Sequence, residues 1–183
     1  SFVTSYSHAS TICQLEWHCA DGSIVIGSQD GQLKLWHPFR DDQPIELCQM
    51  PKAIRALALN PYNNNVLAVA SGNTLSIWRM SVFTRCLIQL TLPDDIVSIV
   101  WSTTCSELAV AFGKTIRVYR YGKDLRVLAV LTDIKSHTLP ILSLALSADG
   151  QTLVSEAEDE TLRFWKIFPA KAKKKRASGG ESL

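Results

Sequence analysis

Four side chains near the end of the 183-residue sequence have types and spacing that could do chemistry together. Ser155 lies ten residues before Trp165, Asp159 lies six before it, and His137 stands upstream of both. A serine, a histidine and an aspartate are the side chains of a hydrolytic triad. A buried indole N–H also needs an acceptor, which the hydroxyl can supply while the imidazole links it to the aspartate. A hydroxyl pinned beneath a tryptophan is closed to substrate, so we interpret all four as structural.

Three short β-runs bounded by turn residues surround this tetrad and must position it. They span Ile141 to Ser147, Thr152 to Ser155 and Thr161 to Ile167. The Asp149-Gly150 dipeptide between the first two runs predicts a tight hairpin. The stretch therefore contains one complete structural unit.

The same unit occurs four times along the chain. First strands are predicted to begin at Ile12, Ile54, Ile96 and Ile141, and third strands to end at Trp36, Trp78, Tyr119 and Trp165. Outer fourth strands are predicted at Ile45 to Gln49, Arg85 to Leu90 and Leu125 to Leu131, with none in the last unit. A period near forty residues with four short strands per unit indicates a β-propeller.

The order histidine, serine, aspartate and tryptophan is the WD-repeat pattern. We therefore predict an all-β WD-repeat propeller, formed by four blades at about 12–50, 51–92, 93–135 and 136–168. Residues 1–11 are predicted to end a preceding blade, and 169–183 to form a basic disordered tail. Because the last unit has no outer strand of its own, we expect the chain to be the C-terminal portion of a longer propeller.

Composition and cysteine usage exclude several classes of protein. The chain is 46% hydrophobic and 20% charged, which is ordinary for a globular domain. It has no apolar run of about 18 residues and no secretory signal, so we expect no membrane partner and a location in nucleus and cytoplasm. Five cysteines without a C-x-x-C pair argue against a disulfide framework or a metal site. No cofactor is predicted.

The last fifteen residues are basic. Lys171, Lys173, Lys174, Lys175 and Arg176 place five positive charges in six residues. Such a run favours a solvated end, with an import signal or a nucleic-acid patch as alternatives. Without this tail and its Glu181, 14 basic and 16 acidic residues remain, so a nucleic-acid-binding propeller surface is not predicted.

Motifs of catalysis are missing from the sequence, which contains no Gly-rich phosphate loop and no G-x-S-x-G elbow. We therefore predict a binding module and no enzyme. Three stretches then carry a more specific resemblance: ILSLALSADGQTLVSEAEDETLRFWKIF, IRALALNPYNNNVLAVASG and IVSIVWSTTCSELAVAFG. They resemble, in order, repeats of the Fizzy family, the WD-repeat activators of the anaphase-promoting ubiquitin ligase. The divergence suggests a specialised member, similar to the Cortex-type activators of insect female meiosis.

The resemblance implies a seven-bladed propeller of which repeats four to seven are present, from about Ile12 to Phe168. It implies a substrate-recruiting adaptor and activator for cell-cycle or meiotic proteolysis. The implied partners are subunits of the anaphase-promoting complex and degron-bearing substrates such as cyclins and securin-like proteins. Two degrons matter in this family, the destruction box Arg-x-x-Leu and the Lys-Glu-Asn box.

The destruction-box arginine is held in the family by the acidic residue after the last-blade aspartate, which implies Glu160 here. A carboxylate on a hairpin tip can accept a bidentate guanidinium. From the residues alone, a solvated turn residue is the favoured interpretation of Glu160, and the family resemblance reverses that preference. Glu156 and Glu158 add negative charge nearby, and we expect their field to favour basic flanks on substrates.

The Lys-Glu-Asn face departs from the family pattern. Pro140 stands where relatives have an arginine, and the polar pair of the family's first turn falls on Gln29 and Gly31. A long loop of the next repeat is cut to Ser71-Gly72-Asn73, and another to Gly113-Lys114, both predicted as two-residue hairpins. Since these changes remove charge-assisted hydrogen bonds, we predict weak or absent Lys-Glu-Asn recognition.

The chain also ends in Glu181-Ser182-Leu183 where family members end in Ile-Arg, the dipeptide that docks on the ligase. This departure leaves a second hypothesis open. The protein would then be a generic WD-repeat interaction scaffold without ligase activation.

Overall fold

A computed structural model describes residues 5–18, 21–40, 43–80, 85–122 and 128–169. Within these ranges the chain forms 15 β-strands and no α-helix, so the all-β prediction is confirmed. The predicted basic tail beyond residue 169 and Cys19 lie outside the described residues. No helix in the described part is long and apolar enough to cross a membrane.

The strands form four antiparallel sheets, one for each predicted unit, and we call these sheets blades 1 to 4. Blade 1 contains β1 (Ile12–His18), β2 (Ser23–Ser28), β3 (Gln32–Trp36) and β4 (Ile45–Gln49). Blade 2 contains β5 (Ile54–Leu59), β6 (Val66–Ser71), β7 (Thr74–Arg79) and β8 (Arg85–Thr91). Blade 3 contains β9 (Ile96–Trp101), β10 (Glu107–Phe112), β11 (Thr115–Tyr121) and β12 (Leu128–Lys135). Blade 4 contains β13 (Ile141–Leu146), β14 (Thr152–Ala157) and β15 (Leu162–Lys166).

All four first strands begin where the sequence predicts, but some other boundaries differ. The outer strand of blade 3 runs over Leu128–Lys135, further along the chain than predicted, because β11 pairs with it as far as Thr115↔Lys135. The turn at Asp149 is longer than a tight hairpin, since β13 ends at Leu146 and β14 begins at Thr152. The Asp149 carboxylate fills this turn by accepting hydrogen bonds from the Ser147 hydroxyl at 2.6 Å and the Gln151 N–H at 3.0 Å.

Neighbouring blades pack face to face through three apolar clusters. In β6, Leu67 and Val69 pack in the cluster shared with blade 1, while Ala68 and Ala70 pack in the cluster shared with blade 3. Every residue of β6 and of β10 is therefore buried. This two-sided burial explains why their sequences, VLAVAS and ELAVAF, are nearly continuous apolar runs.

Side chains near the turns between first and second strands tie adjacent blades together. The Trp101 indole N–H donates to the Ala58 carbonyl at 2.9 Å. The Tyr62 hydroxyl donates to the Thr103 carbonyl at 2.5 Å. Each bond joins blade 2 to blade 3 and gives the polar group of an aromatic side chain its partner, for Trp101 in the buried core and for Tyr62 at the surface.

The first strand of every blade contains a β-bulge at its second residue. The pairing register skips one residue between Ile12 and Gln14, and the same irregularity recurs in blades 2, 3 and 4. The bulged residues are Cys13, Arg55, Val97 and Leu142. Because a bulge redirects a side chain, four equivalent side chains are redirected in the same way.

Candidate functional site

The four side chains predicted as a tetrad lie together in blade 4. The Trp165 indole N–H donates to Ser155 Oγ at 2.9 Å, and His137 Nε2 lies 2.7 Å from the same oxygen. His137 Nδ1 lies 3.0 Å from Asp159 Oδ1. Ser155 has no exposed surface, so its hydroxyl links tryptophan to histidine and cannot reach a substrate.

Two threonines form further hydrogen bonds to Asp159 of the tetrad, and neither was predicted from the sequence as a partner. Thr161 Oγ1 donates to Asp159 Oδ1 at 2.6 Å, and the Thr138 N–H donates to Oδ2 at 3.0 Å. These hydrogen bonds, with the one to His137, hold the pKa of the Asp159 carboxyl well below its ordinary value. Thr161 follows Asp159 by two residues, a spacing typical of Asx turns, and that signal could have identified it.

Glu160 is exposed at the tip of the β14–β15 turn, directly after the anchored Asp159. Its φ is 60°, and it is the one non-glycine residue with positive φ in the described part of the chain. Its N–H donates to the Ala157 carbonyl at 3.1 Å. The backbone of Glu160 is therefore held from both sides, and its carboxylate points from a fixed turn.

Glu156 and Glu158 occupy different environments. Glu158 is an exposed turn residue whose N–H donates to the Pro140 carbonyl at 3.0 Å. Glu156 lies within β14, paired with Leu162. Because strand residues alternate between faces, Glu156 lies on the face opposite to Ser155. Only Glu158 thus shares the turn with Glu160.

Of the residues predicted for a degenerate Lys-Glu-Asn face, three lie in turns between second and third strands, Ser71 ends a strand, and Pro140 directly precedes β13. Gln29 and Gly31 belong to the β2–β3 turn, and Gly72 to the two-residue β6–β7 turn. Gly72 has a φ of 55°, as a two-residue hairpin with glycine requires. Ser71 is buried at the end of β6 and donates its hydroxyl to the Lys52 carbonyl at 2.7 Å. Gln29 also lines a cavity.

That cavity, which we call the axial cavity, has a volume of about 520 Å³ and draws its lining from all four blades. Its lining residues are Cys13, Gln14, Gln29, Ala53, Arg55, Val97, Ile141 and Leu142. All four bulged residues are among them. Gln29 was predicted from the sequence as a site residue, whereas Arg55 was not, since an alternating β pattern carries no mark of a bulge.

The described residues contain no group of three or more histidine, cysteine, aspartate or glutamate side chains that could hold a metal ion. The model of the WD domain, G-beta repeat, matches residues 1–37 and 128–166. Four antiparallel blades with a complete tetrad in the last one define a WD-repeat β-propeller protein.

Comparison with known proteins narrows this class. The chain is 32% identical to Protein FIZZY-RELATED 1 of Arabidopsis thaliana, over 93% of its own length and 36% of the relative's. It is 30% identical to the APC/C activator protein CDH1 of Saccharomyces cerevisiae, over 91% of its length and 30% of the relative's. A chain in the crystal structure of the mitotic checkpoint complex superposes with a TM-score of 0.79 at 26% identity, covering 89% of this chain and 51% of that one. The resemblance to the Fizzy family is thus confirmed, and the chain spans about a third of the length of these curated relatives.

Proposed function

We propose that this protein is a substrate-recruiting adaptor and activator of the anaphase-promoting ubiquitin ligase, and that it binds destruction-box degrons through Glu160. The similarity to CDH1 and to a Fizzy-related protein supports the ligase connection. In this role the chain holds substrates and catalyses no step itself. The partners would be ligase subunits and cyclin-like or securin-like substrates.

The observation that carries the proposal is the conformation of Glu160. A non-glycine residue at positive φ costs on the order of 1 kcal/mol, and glycine would occupy this position without that cost. A binding role for the side chain, which glycine could not perform, would explain why a costly residue occupies this turn. An exposed carboxylate on a fixed turn can accept both N–H groups of a degron arginine.

An exposed ion pair alone contributes about 0 to 1 kcal/mol, so the degron leucine must supply further binding free energy. Leu162 and Phe164 offer apolar surface close to Glu160, with 62% and 68% of their surface exposed. Both lie on the face of β15 opposite to Trp165, which packs against the cluster shared with blade 3. An extended Arg-x-x-Leu segment could contact Glu160 with its arginine and this apolar surface with its leucine.

The alternative is a WD-repeat scaffold that joins other partners without activating the ligase. The short turns at Gly72 and Gly113 and the proline at residue 140 favour it, since they remove polar groups of the Lys-Glu-Asn face. The two functions differ in which proteins remain bound to this protein when it is purified from cells.

Affinity purification of the tagged protein from dividing or meiotic cells, followed by mass spectrometry, separates the two. We expect ligase core subunits with the wild-type protein, and destruction-box proteins that are lost with Glu160→Lys. Glu46→Lys, an exposed charge reversal on β4, is the matched control and should retain both groups. A stable complex without any ligase subunit would contradict the proposal and support the scaffold.

A further inference from the structure

Two arginines lie directly opposite each other on neighbouring strands of blade 2. Arg79 ends β7 and pairs in register with Arg85, which begins β8. Directly opposite residues of an antiparallel pair share a face of the sheet, with their Cβ atoms about 4.5–5.5 Å apart. Like charges at this separation repel each other and destabilise the sheet. An anion bound between the two guanidiniums would remove that repulsion.

Neither guanidinium makes a hydrogen bond or an ion pair within the part of the chain that the structure describes. The next arginine along the fold differs in this respect, because Arg120 donates to the Glu107 carboxylate at 2.8 Å. Glu107 itself lies on the face of blade 3 that points toward blade 4, as Ala109 of the same strand does. Its carboxylate is therefore directed away from blade 2 and does not serve Arg79 or Arg85.

The turns nearest to the two arginines carry no charge. Val66 pairs with Arg79, so the β5–β6 turn at residues 60–65 lies beside it. The β9–β10 turn at residues 102–106 lies at the corresponding end of blade 3. Neither turn contains an acidic or a basic residue. The positive charge of the arginine pair is thus not balanced by these neighbouring turns.

Blade 3 contributes an unsatisfied hydroxyl to the same cleft between blades 2 and 3. Tyr121 is 6% exposed, and its hydroxyl has no hydrogen-bond partner among the described residues. Its ring packs edge to face against Trp101, with ring centroids 5.7 Å apart, in the apolar cluster shared by blades 2 and 3. Ile77 packs in the same cluster, so Arg79, two residues further along β7, lies on the face toward Tyr121. Burial raises the pKa of the Tyr121 hydroxyl, and the positive charge of Arg79 opposes this increase.

These groups match a phosphate better than a carboxylate. A guanidinium presents five N–H donors and no acceptor, so the ligand must supply acceptor oxygens. A phosphate monoester carries a charge of about −1.5 to −2 at pH 7 and three acceptor oxygens. It can therefore accept hydrogen bonds from two guanidiniums and a hydroxyl at once. A carboxylate offers two oxygens and a single charge.

We propose that Arg79 and Arg85 bind a phosphorylated serine or threonine side chain of a partner protein, with the Tyr121 hydroxyl as the third donor. This site lies between blades 2 and 3, whereas Glu160 lies at the β14–β15 turn of blade 4, so the inference goes beyond the proposed function and does not depend on it. A nucleic acid fits less well, because its backbone is bound by a row of cations. The uncharged turns beside the pair supply no such row.

Fluorescence anisotropy with labelled, end-blocked pentapeptides tests the proposal on the full 183-residue chain. A peptide with phosphoserine between two Ala-Gly flanks should bind about tenfold more tightly than its serine counterpart, and about threefold more tightly than its glutamate counterpart. Arg79→Gln and Arg85→Gln should each abolish these preferences. Arg40→Gln, at an exposed arginine of blade 1, removes the same charge and should leave them intact. Equal affinity of the phosphoserine peptide and either counterpart, or a preference that survives in either variant of the pair, would overturn the proposal.

Urea unfolding separates lost binding from lost folding. Because the two arginines repel each other, Arg85→Gln should be at least as stable as the wild-type protein. A clear loss of stability would show that Arg85 has a partner within the fold, and would overturn the proposal. Tyr121→Phe should also be at least as stable, since it removes an unsatisfied polar group, and should bind the phosphopeptide about threefold more weakly. Unchanged affinity in Tyr121→Phe would exclude the hydroxyl from the site.

Competition experiments identify the source of the phosphate. The unlabelled phosphopeptide should displace the labelled one at a lower concentration than inorganic phosphate, and at a lower concentration than an oligonucleotide of about twelve thymidines. A free phosphate ion or an oligonucleotide that competes as well as the phosphopeptide would overturn the assignment to a phosphorylated protein. Glu160→Gln should leave phosphopeptide binding unchanged, so failure of this site and failure of destruction-box binding are measured separately.

Discussion

Glu160 adopts at the β14–β15 turn the conformation that Gly31 adopts at the β2–β3 turn, with φ values of 60° and 85°. Both residues directly follow an aspartate, Asp159 or Asp30, whose side chain bonds within the turn. At Gly31 an added Cβ would meet the Met50 carbonyl oxygen, so a side chain is excluded there. Blade 4 thus has a carboxylate where blade 1 requires glycine.

Replacing Glu160 separates stability from binding. We expect Glu160→Gly to leave the free energy of unfolding equal or to raise it by up to about 1 kcal/mol, since relief of the left-handed conformation is offset by glycine's larger unfolded-state entropy. Destruction-box binding should fall in the same variant. Glu158→Gly is the control: Glu158 lacks positive φ, so its change should cost about 0.5–1 kcal/mol. Chemical denaturation measures the free energies of unfolding of the two variants. A clear loss of stability in Glu160→Gly would contradict the prediction.

Gly31 and Gly22 provide a matched pair for the contact between blades 1 and 2. Both have positive φ, but an added Cβ at Gly22 meets no atom within 4 Å, whereas at Gly31 it meets backbone of Met50 and Lys52. We expect Gly22→Ala to cost about 1 kcal/mol and Gly31→Ala about 1 to 3 kcal/mol more, from overpacking. Urea unfolding of the two variants checks the difference. Equal destabilisation would contradict the prediction, because it would mean that the backbone at Met50 and Lys52 moves away from the added Cβ without cost.

Asp159 should make the stability of the fold sensitive to acid. Its pKa is depressed in the folded protein, so the carboxylate favours folding above the unfolded pKa of about 3.9, and that contribution is lost as pH falls further. Asp159→Asn should therefore be less stable than wild type at pH 7, and the gap should narrow below about pH 4. Denaturation midpoints of both proteins from pH 7 to pH 3 measure the gap. A difference that stays constant with pH would exclude the linkage.

The electrostatic field of the acidic residues near Glu160 can be tested through the salt dependence of degron-peptide affinity. Glu158 is exposed beside Glu160, whereas Glu156 lies on the strand face next to Leu162. Replacing both with alanine should weaken binding of degron peptides with basic flanks at low salt and flatten the dependence on ionic strength. Single variants should show the larger effect at Glu158. An unchanged affinity and salt slope in the double variant would refute the field effect.

Recognition of a Lys-Glu-Asn peptide should be weak or absent. The turns at Gly72 and Gly113 contain two residues each, and Pro140 offers no side-chain donor. Titration of such a peptide should therefore show no binding at micromolar concentration. Micromolar binding that survives in Gln29→Ala would contradict this prediction.

Repeat period and residue type predicted most of the fold. Strand starts at Ile12, Ile54, Ile96 and Ile141 followed from the apolar pattern, and the tetrad followed from the spacing that ends at Trp165. Both signals are local, because each blade is one supersecondary unit whose strands lie next to each other in the chain. The position of the outer strand of blade 3 was predicted less well, since it depends on pairing with β11.

The axial cavity could not be predicted, because it depends on four bulges and on the meeting of distant blades. Arg55 looks from the sequence like an ordinary exposed residue of an alternating strand. Glu160 was predicted as a site residue through the family resemblance, while its positive φ is visible only in three dimensions.

Binding of an Arg-x-x-Leu peptide and of its Ala-x-x-Leu counterpart, measured up to millimolar concentration by fluorescence anisotropy, tests the central claim most directly. The wild-type protein should prefer the arginine peptide, and Glu160→Gln should bind the two peptides equally while retaining wild-type stability. The same preference in Glu160→Gln as in wild type would contradict the assignment of Glu160 as the destruction-box contact.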